Sequence, residues 1–135
     1  MIVVDTSVLA YAVLPGERSL AVQALAERDP HWLAPSLWRW ELRNVLATTM
    51  RVRRLPLSDA LAAFAAAEQL VEDAGLEPSV EDCLRVAAGG RISAWDAEFV
   101  CVAQALGVAF VTADRRLCKA FPECAVALED AAGVS

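Results

Sequence analysis

Short, wholly apolar runs alternate along this chain with segments of helix length, and that alternation limits the folds open to it. Ile2-Val3-Val4 and Val108-Ala109-Phe110-Val111 are rich in β-branched and aromatic residues and carry no polar residue on either face. Such runs suit strands buried on both sides. His31-Trp32-Leu33-Ala34, Leu76-Glu77 and Ala125-Val126-Ala127-Leu128 read as further short strands. Between them the pattern predicts helices. One covers 6–13 and is stopped by Pro15-Gly16; a second covers 17–28. A third opens at Pro35 or Ser36 and runs to about Met50. Ser58 is expected to cap a helix over 59–73 that Gly75 stops. Ser79 with Asp82 resembles a capping box for a helix to about Ala88, broken by Gly89-Gly90. Ser93 with Asp96 resembles another, for a helix over 94–106 ended by Gly107; a short helix over 115–120 closes at Pro122. Strands alternating with helices predict an α/β fold: a three-layer α/β/α sandwich around a central, mostly parallel sheet. No repeat or linker divides it, so residues 1–135 are expected to form one domain.

Composition agrees. Hydrophobic residues make up 57% and charged residues 22%, which is core-forming and not disordered. Twelve basic residues against eighteen acidic give a net charge of −6, which argues against binding nucleic acid through bulk positive charge. The charge is segregated along the chain. Arg39, Arg43, Arg51, Arg53 and Arg54 face one acid, Glu41, whereas the stretch from Asp59 to Asp82 is acidic and has no base. Cys83, Cys101, Cys118 and Cys124 lack a C-x-x-C pair and are expected to be reduced, partly buried thiols. With His31 as the sole histidine, zinc ligation is disfavoured. No apolar run approaches a membrane span, and Met1-Ile2-Val3-Val4-Asp5 has no basic leader, so the expectation is a cytoplasmic protein.

In an open parallel sheet, ligands bind beyond the carboxyl ends of the strands, so the residues leaving the strands carry the argument. Val3-Val4 runs into Asp5, and Val111-Thr112 runs into Ala113-Asp114. Each of these acids is equally suited to capping the helix that follows. Glu41 shares a helix face with Leu37, Trp38, Asn44 and Val45, a largely apolar stripe in which an unpaired charge is costly. It either reaches the margin to pair with Arg39 or Arg43 or meets a cationic partner such as a metal. Asp96 suits helix capping, yet it lies beside Ile92, Phe99 and Val100 on the core side. Four acids converging from separate elements would repel one another unless a cation compensated them. Hard divalent ions prefer such oxygen ligands. No phosphate-binding or dinucleotide glycine motif is present.

These residues resemble a known family. I-V-V-D-T-S-V-L, W-E-L-R-N-V-L, S-A-W-D-A-E-F-V-C-V-A and V-T-A-D-R-R-L, in that order, are similar to the PIN domain and, more narrowly, to the VapC-type toxins of toxin–antitoxin pairs. The resemblance implies that Asp5, Glu41, Asp96 and Asp114 are the catalytic, metal-binding acids. It makes Thr112 the hydroxyl that supports the first Asp, Asn44 the Asn that follows the Glu, and Ser7 a supporting hydroxyl near the site. Trp95 stands where many members have Tyr, and Glu98 is held as a surface or supporting acid. The resemblance further implies Mg²⁺- or Mn²⁺-dependent endoribonuclease activity, a homodimer, and neutralisation by a cognate antitoxin. Arg39, Arg43, Arg115 and Arg116, with Arg51, Arg53 and Arg54, are candidate RNA phosphate contacts.

Two other readings compete: a catalytically silent PIN-like binding module and a phospho-acceptor receiver-like domain. A receiver would want adjacent acids after the first strand and a lysine after the last. Here Asp5 is followed by Thr6-Ser7, and Lys119 lies inside a predicted helix. With His31 the sole histidine and adjacent in sequence to none of the four candidate acids, hydrolysis is expected to rely on the metal, with Asp5 or Asp96 orienting the water.

Overall fold

The computed structural model describes residues 1–134. Five strands, β1 (Ile2–Val4), β2 (Trp32–Ala34), β3 (Val71–Asp73), β4 (Phe110–Thr112) and β5 (Ala125–Ala127), form one sheet in the order β3-β2-β1-β4-β5. Every neighbouring pair is parallel. Among the described residues, eight helices accompany them: α1 (Thr6–Val13), α2 (Ser19–Arg28), α3 (Trp38–Arg53), α4 (Leu57–Leu70), α5 (Val80–Gly90), α6 (Ala94–Leu106), α7 (Arg115–Ala120) and α8 (Leu128–Ala132). Helix α1 packs on α2, α3 and α4, while α5 packs on α6, which lies against β1 and β4. The chain builds outward from β1 to β3, then returns to place β4 on the other side of β1. The strand order therefore reverses between β1 and β4.

Three-residue strands suffice because they are buried. Val3, Val4, Ala34 and Phe110 are fully shielded from solvent. The edge strand β3 is different, with Val71 buried and Glu72 and Asp73 exposed, and charge on an edge strand discourages pairing with another chain. Two tryptophans anchor the core with their polar tips satisfied. Trp32 donates its indole N–H to the Asp29 carbonyl at 2.7 Å. Trp38 donates to Asp73 Oδ1 at 3.1 Å and stacks on Phe64 with ring centroids 5.4 Å apart. The four cysteines are free, as expected, and burial pushes the Cys83 thiol up to about 12.

Several expected boundaries differ. The third strand is Val71–Asp73 and not Leu76-Glu77, because Val71 turns extended (φ −123°, ψ 140°) and pairs with Trp32. Its two acids hid that strand within a helix-like pattern. Helix α4 starts at Leu57 with Pro56 at its N-cap, whose carbonyl accepts the Ala60 N–H, so Ser58 lies inside the helix and caps nothing. Helix α3 continues past Met50 to Arg53 and ends on Arg54 in the left-handed region (φ 56°). Leu128 opens α8 and does not extend β5.

The Gly89-Gly90 pair does not break α5, which runs through Gly90 and ends on Arg91 (φ 55°). Gly90 is small for a packing reason, since a Cβ there would collide with the ring of buried Phe121. Gly89 has open space around it. Gly90→Ala is therefore expected to destabilise the fold by about 1–2 kcal/mol, the overpacking cost exceeding the gain in helix propensity. Gly89→Ala is expected to stabilise it by about 0.5–1 kcal/mol. Urea unfolding of the two variants checks the opposite signs.

Candidate active site

The register Val4 to Val111 sends Asp5 and Thr112 off adjacent strands at the same sheet edge, where the strand order reverses. The Asp5 N–H continues the ladder to the Val111 carbonyl at 2.9 Å. Asp5 occupies the N-cap position of α1, but its carboxylate makes no capping hydrogen bond. It instead receives the Thr112 hydroxyl, Oγ1 to Oδ2 at 2.6 Å. Thr112 Oγ1 also accepts the Asp114 N–H at 3.0 Å, so the hydroxyl proton is committed to Asp5. Ser7 Oγ accepts the Ala113 N–H at 3.3 Å, a second tie between α1 and the end of β4.

Glu41 lies in the first turn of α3 and accepts the Thr6 hydroxyl at 2.7 Å on Oε1. Among the described residues it pairs with neither neighbouring arginine. Arg39 is held by Glu68 at 2.9 Å and Asp73 at 3.8 Å, and Arg43 lies over the Trp40 ring at 4.9 Å. Thr6 is a site residue that the sequence reading passed over. Its only signal was its position directly after Asp5, and its partner lies 35 residues away. Asn44 is exposed and shares with Asp5 and Glu41 a cleft of about 520 Å³ walled by Leu37, Trp40 and Trp95.

Asp96 and Asp114 approach from other elements. The Asp96 N–H donates to Ser93 Oγ at 3.1 Å, so Ser93 caps α6 and the Asp96 carboxylate remains half-buried at the helix start. Asp114 does cap α7, with Oδ1 accepting the Arg116 N–H at 2.9 Å. It also receives the Arg116 guanidinium, Nη2 to Oδ2 at 2.9 Å and Nε to Oδ1 at 3.3 Å. Arg116, a candidate phosphate contact, is thus engaged by an acid of the site. Arg115 is exposed, 3.9 Å from Glu129. Arg53 lines a neighbouring groove with Ser7, and Arg51 and Arg54 are exposed at the end of α3.

The four acids feel one another. Burial raises the Asp5 carboxyl above its ordinary value, the Thr112 hydrogen bond opposes this, and the charge of Asp96 adds to it. Glu41 is raised by burial, and by Asp5 and Asp96, against its bond from Thr6. Asp96 is raised by burial and by Asp114. Asp114 alone is lowered, chiefly through its hydrogen bond from Arg116. An all-oxygen donor set with unrelieved repulsion fits a hard divalent cation. Among the described residues no three of these side chains stand ready-grouped around an ion position. Asp114 would have to exchange Arg116 for the ion.

Raised pKa values mean that the folded protein binds more protons than the unfolded chain between the ordinary and the raised values. Without divalent ions, stability is therefore expected to rise as pH falls from neutral toward the ordinary values of 3.8 and 4.5. Asp114 acts oppositely: its contribution is present above 3.8 and is lost as pH falls through its lowered value. Asp5→Asn should stabilise the ion-free protein by about 1–3 kcal/mol, the scale of relieving a poorly compensated buried polar group, and should flatten the pH dependence. Thermal unfolding in EDTA across pH checks both.

Comparisons with known proteins bear on the fold and the family. No curated protein sequence matches the chain significantly. Among solved structures, the chain is similar to the crystal structure of PAE2754 from Pyrobaculum aerophilum, with a TM-score of 0.80 and 21% sequence identity. That match covers 98% of this chain and 93% of the other, and at such identity it speaks to the fold alone. The model of the PIN domain matches residues 2–121. That span takes in β1 through α7 and all four acids at the strand-order reversal, and the chain belongs to the PIN domain family, whose members are generally nucleases.

Proposed function

We propose that this protein is a divalent-metal-dependent endoribonuclease, the toxin of a type II toxin–antitoxin pair of the VapC kind. The observation that carries the reading is Asp5. It is a buried carboxylate at the strand-order reversal, held by a neutral hydroxyl, with no cation of the protein paired to it among the described residues and with Asp96 and Glu41 raising the local negative charge. A structural acid would be expected to bring its own cationic partner.

Asp5, Asp96 and Asp114, with Glu41 nearby, are the residues that would hold Mg²⁺ or Mn²⁺. Such an ion supplies Lewis acidity toward phosphate oxygens and toward water. Thr112 fixes the Asp5 carboxylate, Thr6 fixes Glu41, and Asp5 or Asp96 orients the attacking water. Of the four candidate arginines, Arg43 is the one that no acid holds among the described residues, since Arg39 and Arg116 are held by acids and Arg115 stands 3.9 Å from Glu129. His31 takes no part: it precedes β2, at the opposite end of the strands from the acids, and is exposed beside Glu72 at 3.4 Å.

The partners in this reading are an RNA substrate, a cognate antitoxin and a second copy of the chain. A groove of about 820 Å³ between α1 and α3, adjoining the site at Ser7, supports the antitoxin assignment. Tyr11, Leu14 and Val52 offer it apolar surface and Arg53 offers positive charge for an acidic amphipathic segment, while Arg18 is paired with Glu129 and Glu17 adds an acid. No helix among the described residues is long and apolar enough to cross a membrane, and the proposed setting is the cytoplasm.

Cleavage of single-stranded RNA with Mg²⁺ or Mn²⁺ is expected to leave a 5′-phosphate and a 3′-hydroxyl, and to stop in EDTA. Asp5→Asn should lower the rate at least about 100-fold with folding intact, and Thr112→Val about 10- to 100-fold through a disordered carboxylate. His31→Ala should be silent. End-group analysis of the products is decisive, since a 2′,3′-cyclic phosphate or cleavage persisting in EDTA would remove the assignment. A protein that binds RNA but never cleaves it would be the silent binding module.

A further inference from the structure

Trp40 and Trp95 break the rule that the other two tryptophans obey. Trp32 and Trp38 are buried with their indole N–H groups satisfied, whereas Trp40 and Trp95 are 60% and 64% exposed. Among the described residues neither exposed indole donates a hydrogen bond to protein. They come from the first turns of two helices far apart in sequence, α3 and α6. Together they line both the acid cleft and an adjoining depression of about 380 Å³. They therefore stand at the divide between the two.

We propose that Trp40 and Trp95 form a stacking wall for an unpaired base of a single-stranded RNA whose phosphodiester lies in the acid cleft. The proposal rests on the nuclease reading and adds to it how the substrate is gripped. Three observations favour a base over other occupants. Flat indole faces stack on any nucleobase, at about 1–3 kcal/mol per base. Arg43 lies 4.9 Å from the Trp40 ring centroid and 5.6 Å from that of Phe64, and so braces the Trp40 ring with a cation on one of its faces. Glu77 and Glu98 line the depression beyond the tryptophans. Carboxylates there repel phosphate but accept hydrogen bonds from the amino groups of bases. An apolar protein segment laid in the same place would desolvate both acids without compensation. A base reaches such a wall only when it is out of a duplex, hence the single strand.

The test reads binding apart from cleavage. With Ca²⁺ in place of Mg²⁺, so that the carboxylates are compensated by an oxygen-ligated ion, titration with a single-stranded RNA octamer should quench the fluorescence of the exposed indoles. Trp40→Ala and Trp95→Ala should each remove part of the quench and weaken binding roughly 5- to 150-fold, with Trp95→Phe recovering much of the affinity. With Mg²⁺ or Mn²⁺ present, the loss should fall mainly on KM. Placing an abasic nucleotide at successive positions of the octamer should reproduce the loss at one position in the wild type and add nothing in the variant. Both side chains are exposed, and unchanged urea midpoints show that the variants fold. Unchanged RNA affinity and quench in both variants overturns the proposal, as does a change confined to self-association measured by sedimentation. If the wild type cleaves and the tryptophan variants cleave equally well, the wall is wrong and the nuclease reading stands. If quench and the abasic effect appear but no ion supports cleavage, the nuclease reading falls and the stacking wall stands.

Discussion

The parallel pairing of β1 with β4 is the contact on which the rest of the site depends. It joins segments more than a hundred residues apart, and it closes at its carboxyl end with the 2.6 Å hydrogen bond from Thr112 to Asp5. Because the strand order reverses at this pair, the connections leave in opposite directions and open a crevice between them. Helix α1 leaves β1 with Thr6 and Ser7 facing the crevice, and α7 leaves β4 with Asp114 in its cap. Helices α3 and α6 then need only begin near that edge for Glu41 and Asp96 to arrive. A one-residue slip of β4 would put Val111 or Ala113 opposite Asp5 and leave a buried carboxylate without a donor.

The hydrogen bonds around the acids hold each carboxylate still without neutralising it. Thr112 and Thr6 are neutral donors, and each lowers the pKa of its acid by less than burial and the other acids raise it. The ion-free protein thus stores electrostatic repulsion at one edge of an otherwise apolar sheet. Arg116 relieves it in part. It is almost fully exposed, so its pairing with Asp114 is worth little to stability and is readily exchanged. The arrangement trades stability for oxygen donors gathered at one edge of the sheet, as functional sites commonly do.

Four of the five strands were legible in the sequence. Ile2-Val3-Val4 and the run ending at Val111 have no polar face, so both sides had to be covered, and the sheet is parallel throughout. The acids that end those strands were also legible, because a carboxylate directly after a buried strand has few ways to reach water. Glu41 was visible as a charge in an apolar stripe. Thr6 was not, because a threonine at a helix start is ordinary and nothing local names a partner on α3. Strand β3 was hidden because its Glu72 and Asp73 read as the polar face of the preceding helix, and only pairing with β2 makes them a strand.

What the sequence determined alone is therefore what local chemistry can enforce: apolar runs that must be buried, caps such as Ser79 and Ser93, and acids stationed at element ends. What the tertiary structure decided is everything that needs two distant segments. Gly90 reads as a helix breaker until the Phe121 ring is seen to occupy the space its side chain would take. Four tryptophans look alike in the sequence. Two are buried with their indole N–H groups bonded to the Asp29 carbonyl and the Asp73 carboxylate, and two stand exposed at the cleft. A hydrogen bond or a steric contact between segments tens of residues apart leaves no periodic trace in either, so only the folded chain can assign it.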